Sequence, residues 1–103
     1  MTVQTRSDVL YIINENLETL RTFGVLRCGL FGSFLREEMT PESDVDLLVE
    51  FEPGKKTFLN FLNLSFFLEE VLGRKVELVT RESLSPYAGP EILSEVEYVV
   101  AAR

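Results

Sequence analysis

Asp44 and Asp46 stand one residue apart in SDVDLLVEF, and Gly32-Ser33 closes the apolar run VLRCGLF, with ten residues between Ser33 and Asp44. In an extended chain, alternate residues share a face, so the two aspartates point the same way, one pleat repeat apart, close enough to share divalent cations. Like charges at that spacing repel and push one carboxyl upward in pKa; a bound cation is the simplest way to keep both ionised. Oxygen donors of this kind suit Mg²⁺, which takes few carboxylates and completes its shell from substrate phosphates. Either feature alone is more often ordinary, a solvated strand pair or a turn. Placed side by side they describe a triphosphate cradle next to a metal site. Gly32 lets a phosphate approach the backbone, Ser33 offers a hydroxyl and an N–H, and a short helix beginning there aims its positive end at the same point.

Three further residues attach to this pair. Glu77, in KVELV, sits on a strand expected beside that of the aspartates, from which its carboxylate can reach the same metals. Arg36, one turn beyond Ser33, has the planar fork that meets phosphate oxygens. Ser43, directly before Asp44, either orients a carboxylate or caps the loop.

The elements that must position these residues follow from periodicity and punctuation. Val9, Leu10, Ile13, Leu17, Leu20 and Phe23 recur at helical spacing and predict one helix, with Ser7 as N-cap, Asp8 in its first turn and Gly24 as the stop. A first strand, Val25 to Phe31, follows; then a brief helical turn from Ser33 to Glu38 and the loop MTPES. From Asp44, DVDLLVEFE alternates as a second strand, with Asp44, Asp46, Leu48 and Glu50 on one face. Thr57 caps a long apolar helix that Gly73 ends, and Lys75 to Thr80 makes a third strand. The tail carries a helical segment near Glu91 to Val96 and a short extended end at Tyr98 to Val100. The order αβ(α)βαβα predicts a two-layer α/β (α+β) domain with a small mixed sheet. The long helix makes a crossover, so strands two and three should be parallel neighbours, and the short connection makes strands one and two antiparallel.

Composition narrows the partners. The 103 residues suit one domain with one core, residues 1–103. Hydrophobic residues at 46% and charged residues at 26% are the profile of an ordered globule. A net charge of -7 leaves no positive field for a nucleic-acid backbone, so direct nucleic-acid binding is not expected. The lone Cys28 sits in an apolar run and reads as a core residue of a cytoplasmic protein; the N-terminus shows no signal pattern, and no apolar run is long enough to span a bilayer.

Gly32-Ser33, ten residues, then Asp44-Val45-Asp46 resembles the G-S-x(10)-D-x-D signature of the nucleotidyltransferase superfamily that includes DNA polymerase beta. With its length and its VELVT-x-x-x-L-S-P-Y tail, the chain is similar to the minimal nucleotidyltransferases, the MntA-like antitoxins paired with HEPN-domain toxins. The resemblance implies that Asp44 and Asp46 bind two Mg²⁺ ions, one shared with the phosphates of ATP, and that Glu77 matches a third carboxylate that helps activate the acceptor hydroxyl. Arg36 corresponds to the arginine that often follows the Gly-Ser. The chain departs from the pattern at Glu77, where many relatives carry aspartate, and at Glu37, where glycine is common and an acidic side chain could repel phosphate.

The resemblance further implies a partner protein as acceptor: a HEPN ribonuclease, adenylylated on a tyrosine hydroxyl and thereby silenced. A chain of this length is expected to lack room for a separate acceptor-binding domain, so the acceptor brings its own surface, in a homo- or hetero-oligomer. Phe58, Phe61, Phe66 and Phe67 are candidates for a partner face, although helical spacing assigns most of them to the core. Two other readings stay open: an antitoxin that blocks its toxin by contact, with a vestigial site, and a nucleotidyltransferase acting on a small molecule.

Overall fold

Thr5 rather than Ser7 starts the first helix: its hydroxyl accepts the Asp8 N–H at 3.1 Å, and α1 (Arg6–Glu15) follows. The predicted single helix is broken at Asn16, whose side-chain amide donates to the Ile12 carbonyl at 2.7 Å, and α2 (Leu17–Thr22) continues on a new course. Such a local side-chain bond competes with the helical ladder, which periodicity of apolar residues cannot register. This computed structural model describes residues 2–99.

The remaining elements run β1 (Val25–Phe31), α3 (Gly32–Arg36), β2 (Val45–Phe51), α4 (Phe58–Leu72), β3 (Val76–Thr80), a 3₁₀ turn (Arg81–Ser83), α5 (Gly89–Glu95) and β4 (Glu97–Val99). Thr57 caps α4 by accepting the Asn60 N–H at 3.1 Å, and Gly73 ends it in the left-handed region, as expected. The short helix begins one residue earlier than predicted, at Gly32 itself, and ends at Arg36 because Glu37 turns left-handed, with φ of +59°. The extended end is strand β4; the predicted Val100 lies outside the described residues.

The four strands form one mixed sheet in the order β3-β2-β1-β4. Both expected pairings are present, β1 antiparallel to β2 and β2 parallel to β3, and β4 adds antiparallel to the free side of β1. Alternation along β2 sends Val45, Leu47 and Val49 into the core with Cys28 and Leu30 of β1, against Val9, Ile13 and Leu20 of the first two helices and Leu64, Leu68 and Leu72 of α4. Each such leucine stabilises the fold by about 1.5–3 kcal/mol, so the face of β2 that carries the aspartates is fixed by what the other face buries. Burial pushes the Cys28 thiol up to about 12, which leaves it an inert core residue.

The opposite face of β2 carries Asp46, Leu48 and Glu50. Tyr98 packs over Gly29 on that side, where an added Cβ would meet the Tyr98 ring at 3.0 Å and Val96 Cγ2 at 2.6 Å. No helix among the described residues is long and apolar enough to cross a membrane.

Candidate active site

The sheet register builds the site. Phe31, the last residue of β1, pairs with Asp46, and Gly32 follows with φ of +79°. A Cβ on Gly32 would collide with Asp46 Oδ2 and lie 2.9 Å from the carboxyl carbon, so the backbone of the Gly-Ser step and the aspartate are in direct apposition. On its other side Asp46 pairs with Glu77 of β3. Asp44 immediately precedes the strand, and Val45 is tied down by its N–H bond to the Lys75 carbonyl at 3.0 Å. Of the residues singled out from sequence, Gly32, Asp46 and Glu77 are thus brought side by side across three neighbouring strands, with Asp44 at the entry to β2.

Electrostatics mark Asp46. Burial, then the charges of Glu77 and Asp44, push its carboxyl up to about 6, with Arg36 pulling the other way. The larger neighbouring charge comes from across the sheet rather than from the aspartate two residues away, so the D-x-D spacing alone understates the repulsion. No ion pair among the described residues reaches Asp44, Asp46 or Glu77. By contrast Glu50, further along the same face, is neutralised by Arg27 at 3.2 Å and Arg81 at 3.5 Å, and accepts the Tyr98 hydroxyl at 2.9 Å. Among the described residues no three His, Cys, Asp or Glu side chains are gathered tightly enough to hold a metal ion by themselves. Two carboxylates with substrate phosphate and water completing the shell is the ordinary donor set for Mg²⁺, and the uncompensated charge around Asp46 fits it.

On the Gly-Ser side, the Gly32 N–H donates to Glu95 Oε2 at 3.1 Å, and Arg36 Nη1 donates to both Glu95 oxygens at 3.0 Å while its Nε reaches Glu38 at 3.2 Å. Ser33 is half-buried at the start of α3. Glu37 pairs with Arg6 of α1 at 3.3 Å. Ser43 takes the second of its two readings: its hydroxyl accepts the Thr40 N–H at 2.8 Å and closes the loop ahead of Asp44.

Three residues near the site had no sequence signal. Glu95 falls within the predicted tail helix and lies at the end of α5, just before β4 pairs with β1. Arg74 follows the Gly73 cap, donating through Nε to the Val3 carbonyl at 2.8 Å and through Nη1 to the carbonyls of Pro41 and Ser43, each at 3.1 Å. Its guanidinium also stacks 4.9 Å from the Phe34 ring centroid of α3, so one side chain joins the Asp44 loop to the short helix. Lys75 lines two clefts that share Asp44, one of about 350 Å³ toward Ser43 and Arg74 and one of about 310 Å³ toward Phe61 and Glu77.

Comparison with known proteins follows the same line. The profile described as "Nucleotidyltransferase domain" matches residues 10–99. The protein adenylyltransferase MntA of Thermococcus cleftensis is 39% identical over 100 residues, covering 96% of this chain and 100% of that one. A solved structure provisionally described as a minimal nucleotidyltransferase superposes with a TM-score of 0.80 at 31% identity, covering 94% of this chain and 98% of its own. The structure of a tri-AMPylated Shewanella oneidensis HEPN toxin in complex with MNT antitoxin shares the fold, with a TM-score of 0.64 at 19% identity, covering 91% of this chain and 73% of the matched one.

Proposed function

The chain belongs to the nucleotidyltransferase domain family, and we propose that it is a protein adenylyltransferase acting as an antitoxin, moving AMP from ATP to a hydroxyl of a HEPN-type toxin. The observation that carries the reading is the apposition of Gly32 with Asp46, itself paired with Glu77, because it sets phosphate donors beside unneutralised carboxylates. The likeness to an adenylyltransferase along its full length supports the reaction, and the toxin complex with the same fold supports the partner.

In this reading Asp44 and Asp46 hold Mg²⁺, and Glu77 lies within the same charged cluster. Bound there, the metal supplies charge neutralisation for the triphosphate and for the attacking and leaving oxygens. The Gly32 N–H, Ser33 and Arg36 orient the phosphate chain. Glu77 faces the acceptor side and helps take the proton of the incoming hydroxyl, whose oxygen, on the tyrosine we assign as acceptor, forms a bond to the α-phosphorus. The bond to the bridging oxygen breaks, and pyrophosphate leaves. Phe58 and Phe66, 75% and 60% exposed, depart from the core assignment expected for most of the phenylalanines and offer an apolar surface on α4 to the partner, while Phe67 packs inward on Phe23.

The test is transfer from ATP labelled at the α-phosphate: label should appear on the toxin, and ATP labelled at the γ-phosphate should leave none. Absence of α-label on an active toxin sinks the proposal. The prior engagement of Gly32 and Arg36 by Glu95 keeps a second reading in play, neutralisation by contact alone, which survival of toxin neutralisation in the Asp44→Asn, Asp46→Asn double variant would favour.

A further inference from the structure

Glu95 ends α5, some sixty residues of chain away from the Gly-Ser step, yet its carboxylate takes the Gly32 N–H at 3.1 Å and the Arg36 Nη1 at 3.0 Å to each oxygen. We infer that Glu95 sets the nucleotide affinity of the site by standing where a phosphate must go: its carboxylate occupies the backbone and guanidinium donors, and an incoming triphosphate has to displace it. The inference rests on the reading of this site as a nucleotide site.

Two features separate competition from simple support of Arg36. A residue that only held the arginine in place would grip the guanidinium and leave the backbone N–H to the substrate; Glu95 consumes both. Carboxylate and phosphate oxygens also make the same kind of short, charge-assisted bond to such donors, so one substitutes for the other. Release needs little: the Glu95 side chain is 25% exposed, and rotation about its own bonds frees the donors without parting β4 from β1. Once displaced, the carboxylate also withdraws a negative charge from the neighbourhood of Asp46, where it acts alongside Glu77 and Asp44.

Competition and support predict opposite signs for one substitution. Glu95→Gln keeps the size of the side chain and removes the charge, so calorimetric titration with AMP-PNP and Mg²⁺ should show Kd falling about tenfold, the worth of one charge-assisted hydrogen bond. Adenosine, which brings no phosphate, should bind the two proteins equally. AMP-PNP affinity in Glu95→Gln that is unchanged or weaker than wild type overturns the inference while leaving the nucleotide site standing. Failure of wild type and variant alike to bind AMP-PNP overturns the underlying reading as well. Should melting curves show that Glu95→Gln does not fold, Glu95→Asp gives the same decision: its shorter carboxylate cannot span both donors, so affinity should rise, and no rise overturns the inference.

Discussion

Asp46 is half-buried between Gly32 and Glu77, and burial and the charges of Glu77 and Asp44 push its carboxyl from the ordinary 3.8 up to about 6. The native state therefore keeps a proton that the unfolded chain has already released. Its contribution is fully present below 3.8 and is lost as pH rises through about 6, against the opposite trend of carboxyls held low such as Glu50. Thermal melts in EDTA between those pH values should show the wild-type Tm falling relative to that of Asp46→Asn as pH rises; an equal slope in the two proteins would contradict the assignment. Added Mg²⁺ should raise the Tm of the wild type at neutral pH and not that of Asp46→Asn. At this scale residue type and spacing were enough to expect that Gly32, Asp46 and Glu77 lie together, as they do. It was silent on Glu95 and Arg74, whose roles depend on partners more than thirty residues distant.

Elements, more than single ligands, decide whether Asp44 is held in register with Asp46, and Arg74 is the part that joins them. It ties the Pro41 and Ser43 carbonyls to the start of the chain and to α3 through Phe34. Arg74→Ala should cost about 2 kcal/mol or more, as hydrogen bonds from a charged group are each worth about 1.5–3 kcal/mol. Because the loop before Asp44 loosens, the same variant should also weaken Mg²⁺ binding; Arg74→Lys, lacking the fork, should recover only part of both, read by denaturant titration and metal titration. The left-handed turn at Glu37 is a conformation that glycine adopts without strain, and the Glu37 side chain is drawn to Arg6 on α1. Glu37→Gly should therefore leave nucleotide affinity unchanged and stabilise the fold by up to about 1 kcal/mol, relief of backbone strain exceeding the loss of an exposed ion pair. Strand pairing was legible from connection lengths, since a helix of fifteen residues between β2 and β3 requires a crossover. The break at Asn16 and the N-cap at Thr5 were not, because each turns on one local hydrogen bond that competing residues nearby could equally have made.

At the scale of the molecule, the described elements are taken up by one four-stranded sheet and the helices that cover it. The exposed apolar side of α4 adjoins the candidate site: Phe58 begins a cleft of about 360 Å³ that shares Phe61 and Leu78 with the cleft beside Asp44 and Glu77. On the proposed function, a partner seated there would present its hydroxyl to the carboxylates. Sequence reading anticipated the mixed sheet with helices packed on it; it placed most phenylalanines in the core because helical periodicity reports which residues are apolar, not which of them the neighbouring elements reach. The most direct measurement is the intact mass of the cognate toxin after incubation with ATP and Mg²⁺ and either the wild-type chain or Asp46→Asn. The account predicts added adenylyl groups and lost ribonuclease activity with the wild type, and at least a hundredfold slower transfer with the variant, about 2.7 kcal/mol at the barrier. An unmodified toxin with wild type, or equal modification by the variant, would contradict it.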